Sequence, residues 1–146
     1  MKPAAKTAPV IRTIPLGLPA SSSAGARARL KARAVLVELG WPGDRQTAIH
    51  VLHSLVDNAV HHGLTAERPG QRLHASLSIT EACELLIDVS DPNPTFPVFD
   101  KAVTGDMGGG GLQDATQHGA VLSWFVCAEI GGKTVRATMQ PRQVDL

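Results

Sequence analysis

The chain has 146 residues, 43% of them hydrophobic, and carries 14 basic against 13 acidic side chains for a formal net charge of +1. That length closes one core of useful size, and that composition excludes a disordered chain. The charge balance supplies no electrostatic drive toward nucleic acid or an anionic membrane surface.

Residues 1–20 read as an N-terminal lead with one short edge strand, Val10–Ile14, stopped by Pro15. Ser21, Ser22 and Ser23 offer N-caps to an Ala/Arg/Leu-rich helix that runs to Leu39, with Gly40 placed to end it. A second helix is predicted from Asp44 to His62 and is closed by Gly63; Ile49, Leu52, Val56, Ala59 and Val60 recur at helical spacing as its core stripe. The period then changes to two. Leu73, Ala75, Leu77 and Ile79 alternate with polar residues, as do Cys83, Leu85, Ile87 and Val89, so two strands over 72–80 and 83–91 form a hairpin around Glu81-Ala82. Residues 92–110 are broken by prolines and glycines, and a loop of that length inside a compact domain is usually functional. A short helix (Leu112–His118) and two strands (Val121–Ile130 and Lys133–Met139) complete a domain spanning 21–140, ahead of a tail at 141–146. The order predicts an α+β fold with helices on one face of a mostly antiparallel sheet.

Cys83 and Cys127 both fall in strand-like apolar runs and are expected as buried free thiols of a reducing compartment. No apolar run reaches the length of a membrane span, and basic Lys2 and Lys6 are not followed by a signal-peptide core. The expected location is the cytoplasm.

Three features carry chemistry. Ser54, Asn58 and His62 are four apart on the second helix and share a face beside the apolar stripe. The Asn58 side-chain carbonyl there suits Mg²⁺, which prefers oxygen ligands, although a solvated polar face gives the same pattern. Asp91 has the parity of Leu85, Ile87 and Val89, so its carboxylate points to the core side at the strand's end. A buried carboxylate needs a donor, such as a purine amine; the alternative is a turn aspartate capping the loop. Gly108–Gly111, leading into a helix at Leu112, lets backbone N–H groups approach phosphates; a flexible linker has the same composition, and it is the placement between a long loop and a helix that favours the phosphate reading. His53, Asp57 and His61 fall at i, i+4 and i+8, a face able to hold Zn²⁺ but without a supporting cysteine.

In order and spacing these features resemble the GHKL superfamily, which includes DNA gyrase, Hsp90-type chaperones, histidine kinases and the MutL repair proteins. The nearest likeness is to single-domain anti-sigma regulators, whose relatives phosphorylate anti-sigma-factor antagonists. Asn58-Ala59-x-x-His62-Gly63 looks like the asparagine box, and Leu85–Asp91 like the strand ending in the adenine-binding aspartate. Gly109-x-Gly111-Leu112 matches the glycine box, and Gly132-Lys133-Thr134-Val135 the family's last strand. The resemblance covers residues 24–139, including Leu39-Gly40-Trp41. It implies a Bergerat-type two-layer α/β sandwich and ATP or ADP with Mg²⁺, held by Asn58, His62, Asp91, Gly109, Gly111 and Leu112, with Asn58 as metal ligand. It also implies a sigma factor or an anti-sigma-factor antagonist as partner, and allows a homodimer.

Three positions depart from the family pattern. Ser54 stands where the catalytic glutamate belongs, Pro92-Asn93-Pro94 replaces the glycines after the aspartate, and Lys133 replaces an adenine-contacting threonine. Serine is a poor general base without a base of its own. The expected function is therefore a nucleotide-dependent protein-binding switch with weak or no phosphotransfer. The alternatives are an active serine/threonine kinase of an antagonist protein, with another base recruited, and a scaffold that has lost the nucleotide.

Overall fold

The computed structural model describes residues 7–64, 71–96, 99, 111–127, 129 and 131–141. The elements are β1 (Val10–Leu18), α1 (Ala24–Leu39), α2 (Arg45–Asn58) continued by one π-helical turn (Ala59–Gly63), β2 (Leu73–Thr80), β3 (Leu85–Asp91), α3 (Gly111–Gln117), β4 (Val121–Cys127) and β5 (Gly132–Met139). The strands form one sheet in the order β1-β2-β3-β5-β4, with every neighbouring pair antiparallel. This is the α+β two-layer arrangement that the element order predicts.

The core lies between one face of the sheet and the helices. Alternation sends Leu85, Ile87 and Val89 of β3, Val135 and Ala137 of β5, and Leu73, Ala75 and Leu77 of β2 to the same buried side. Helix α1 meets them with small residues, Ala24, Ala28 and Ala32, whose four-residue spacing lets it approach α2 closely. Helix α2 contributes Ile49, Leu52, Leu55 and Val56. Burying each such side chain stabilises the fold by about 1.5–3 kcal/mol. Asp44 caps α2 by accepting from the Thr47 N–H at 3.1 Å, and Gly40 ends α1 in the left-handed conformation, as their sequence positions predict.

Four local expectations are corrected. Pro15 does not stop β1, which pairs with β2 through Pro15↔Ser76 as far as Leu18; an edge strand tolerates the missing N–H because one side of its ladder is unused. Ser23 is the N-cap residue of α1 but makes no side-chain cap, since its hydroxyl pairs with that of Ser21 at 2.9 Å. Cys83 is not a buried strand residue: it is exposed in the β2–β3 turn with φ 60°, and Cys127, at the end of β4, is partly exposed. The second helix does not run as one α-helix to His62. After Asn58 it continues as one π-helical turn, Ala59–Gly63, in which His62 is exposed whereas Ser54 on α2 is buried.

Candidate functional site

Antiparallel register sets Asp91 of β3 directly opposite Lys133 of β5, both pointing to the helical side of the sheet. Both side chains are buried, and they pair at 3.0 Å. Asp91 Oδ1 accepts from Lys133 Nζ and, at 2.8 Å, from the Asn93 N–H. Lys133 Nζ also donates to the Asn93 carbonyl at 3.1 Å and lies 5.2 Å from the centre of the Phe96 ring. Phe96 in turn meets Phe99 edge-on at 5.1 Å and Trp124 at 6.0 Å, so an aromatic cluster roofs the ion pair. Asp91 Oδ2 is buried with no hydrogen-bond partner among the described residues. Burial pushes the Asp91 carboxyl above its ordinary value, and the Lys133 charge and the hydrogen bonds from Lys133 and Asn93 only partly offset this.

Two glycines make room for this carboxylate. A Cβ on Gly63 would stand 2.3 Å from Asp91 Cγ, and one on Gly132 would stand 1.8 Å from the Asp91 carbonyl oxygen. Gly63, at the end of the π turn, thus lets that turn close onto Asp91. Asn93 adds a second link, donating from Nδ2 to the His62 carbonyl at 3.4 Å. Of the sequence-predicted residues, Asn58 is the last residue of α2 and is half-buried, while His62 is exposed in the π turn. Gly111 opens α3 and Leu112 is buried beneath it. Gly109 and the rest of the 100–110 stretch lie outside the described residues.

Ser54 is buried. Its hydroxyl has two acceptors, the His50 carbonyl at 3.1 Å and Asp114 Oδ2 at 3.2 Å. Asp114, on α3, also contacts His50 Nε2 through the same oxygen. Burial pushes the Asp114 carboxyl up, but the hydrogen bond and charge of His50, with smaller help from Ser54 and His118, prevail and hold it below the ordinary value. Sequence reading missed Asp114 and His50 as partners of Ser54. The usable signal was that Asp114 stands one turn into the helix after the glycine run, which packs back on α2 in this fold.

The face formed by His53, Asp57 and His61 does not assemble as a metal centre. His53 packs against Gly25 of α1, and His61 Nδ1 donates to the Asp57 carbonyl at 2.8 Å. A cavity of about 420 Å³ lies elsewhere, lined by Arg33, Val37 and residues 43–46 with Ile49, and none of the predicted site residues borders it.

A five-stranded antiparallel sheet with helices on one face is a fold that this chain shares with solved structures, a histidine kinase domain among them. The chain is similar to the histidine kinase domain of a blue-light-activated histidine kinase from Erythrobacter litoralis, with TM-score 0.52, 17% identity and coverage of 83% of this chain and 64% of that one. It is similar also to the RsbU and RsbW domains of a Mycobacterium tuberculosis protein, with TM-score 0.53 and 20% identity, covering 92% of this chain and 35% of that one. The chain thus spans less than two thirds of either. No protein-family model matches it, and neither does any curated protein. Among the described residues, no helix is long and apolar enough to cross a membrane.

Proposed function

We propose that this protein is an anti-sigma-type regulator that binds ATP or ADP with Mg²⁺ and signals by occupancy, contacting a sigma factor or an anti-sigma-factor antagonist. The observation that carries the nucleotide reading is the orphaned Asp91 Oδ2: a fully buried acceptor, beside Gly63, that lacks a donor among the described residues. An adenine amine is a donor of the required kind, and leaving such a group unpaired costs about 1–3 kcal/mol. Asn58 is the residue present to hold the cation, His62, Gly109, Gly111 and Leu112 accompany it on the phosphate side, and the metal would supply charge neutralisation for the phosphates.

Lys133 sets the condition for binding. It holds Asp91 Oδ1 and supports the Asn93–Phe96 roof, so a base reaches the carboxylate only when that roof moves. Occupancy and roof position are therefore coupled, which is what a partner protein would read. Ser54 supports the absence of phosphotransfer, because its hydroxyl is committed to Asp114 and His50 and carries no basic group.

Calorimetric titration with Mg·ATP tests this reading. Binding is expected in the parent, at least tenfold weaker in Asp91→Asn, and stronger in Lys133→Thr, which frees Oδ1. No binding in the parent together with binding in Lys133→Thr would instead make the parent a scaffold whose pocket Lys133 has closed.

One observation favours a second reading, the active kinase. The Asp114 carboxylate, ionised and hydrogen-bonded by His50, lies beside the position of the missing glutamate. Turnover that is present in the parent and abolished in Asp114→Asn would establish that reading over the switch.

A further inference from the structure

Outside the nucleotide site, one group of side chains has the composition and spacing of a metal centre. His50 on α2, Asp114 on α3 and His118 just beyond α3 each offer a ligand atom, and the three atoms lie within 4.8 Å of one another. They come from two separate elements, so the contact between α2 and α3 builds the cluster.

We propose that His50, Asp114 and His118 form a Zn²⁺ site that clamps α3 onto α2. The donor set is two imidazoles and one carboxylate, with no thiolate, which matches Zn²⁺ sites that leave a fourth position open. Bonds of about 2.0–2.1 Å in a tetrahedron place ligand atoms about 3.4 Å apart, so no pair needs to tighten by more than about 1.4 Å, while the closer His50–Asp114 pair opens to admit the ion. That movement is within reach because the three side chains are each more than one-third exposed (38%, 37% and 39%) and none is locked in the core.

The supporting contacts are those a metal ligand needs. His118 Nδ1 lies 2.8 Å from the Asp114 carbonyl, which can only accept, so Nδ1 carries the proton and Nε2 keeps its lone pair. Ser54, buried in α2, donates to Asp114 Oδ2 and orients the carboxylate. The two imidazole rings have centres 4.5 Å apart, beside the Asp114 carboxylate. A solvated polar helix face would not bring together three donors from two elements around one point, with a buried hydroxyl steering the carboxylate.

The ion would fix the helix that begins at Gly111, directly after the glycine run, and so tie that end of the run to the asparagine-box helix. The site does not depend on nucleotide binding and stands or falls separately from it.

The test uses the whole chain and Zn²⁺ alone. Calorimetric titration of the parent with ZnCl₂ is expected to give one ion per chain, with affinity falling at least tenfold in His118→Gln and in Asp114→Asn. His61→Gln, exposed in the π turn beyond α2 and outside the cluster, should match the parent. Titration with Co²⁺ supplies a readout independent of folding stability: visible absorption of a low-symmetry nitrogen/oxygen site should appear in the parent and in His61→Gln, and be absent in folded His118→Gln. Absence of Zn²⁺ binding in the parent, equal affinity in His118→Gln, or loss in His61→Gln instead would each overturn the assignment.

Discussion

Replacing Lys133 with methionine removes the ammonium and keeps most of the stem, leaving Asp91 buried with only the Asn93 N–H on its carboxylate. Breaking a buried pair from one side typically costs about 3–5 kcal/mol. Asp91 has an escape, which is to take up a proton. From the ordinary value of 3.8, protonating it at pH 7 costs about 4.4 kcal/mol at 1.36 kcal/mol per unit, and that figure is a ceiling on the charge-related loss. A loss of about 3–4 kcal/mol is therefore expected at pH 7. The sign of the pH dependence follows from the raised carboxyl of Asp91. A proton on it stabilises the fold below the unfolded value, and that contribution fades as pH rises through the higher folded value. In the variant a protonated Asp91 no longer needs the ammonium, so the loss should shrink by about 1.4 kcal/mol per unit as pH falls from 7 toward 5. Urea unfolding followed by far-ultraviolet circular dichroism at pH 5, 6 and 7 measures this. The double variant Asp91→Asn/Lys133→Met, which buries no charge, should lie closer to the parent than Lys133→Met does. A loss under about 1 kcal/mol at pH 7, or one that does not change with pH, would refute the claim that this pair is buried and mutually dependent.

Two further substitutions test the local geometry. Cys83 holds a left-handed backbone at φ 60°, and its carbonyl rather than its side chain accepts from Trp41 Nε1, so Cys83→Gly should stabilise by up to about 1 kcal/mol in denaturant unfolding; destabilisation would mean that the thiol makes a contact of its own. Gly63→Ala places a methyl 2.3 Å from Asp91 Cγ and should cost about 1–3 kcal/mol or more, with any nucleotide affinity falling alongside; a neutral result would show that the π turn does not press on Asp91.

Much of the fold was legible in local pattern. Two periods, 3.6 in α2 and 2 in β2 and β3, fix which side chains are inward, and the inward Asp91 follows from that parity alone. Punctuation was less reliable. Pro15 reads as a stop in isolation, yet as an edge residue it costs its strand nothing, and edge position is decided by the order of strands rather than by β1 itself. The turn at Cys83 reads as strand because its apolar alternation continues that of Leu85 and Ile87, while hairpin closure through the Thr80 N–H and the Glu84 carbonyl, at 3.0 Å, sets the turn one residue later. The π turn after Asn58 is likewise invisible to a 3.6-residue template.

The sequence by itself determined the two-layer architecture, the inward Asp91 and the order of boxes that gives the histidine-kinase-like resemblance, because each depends on residues a few positions apart whose spacing maps onto one face of one element. Only the tertiary structure decided what Asp91 meets and what stands beside Ser54. Lys133 is 42 residues from Asp91 and Asp114 is 60 from Ser54. Pairings of that reach are set by strand register and by helix packing, which turn on the free energy of burying the whole core, and no local spacing encodes them.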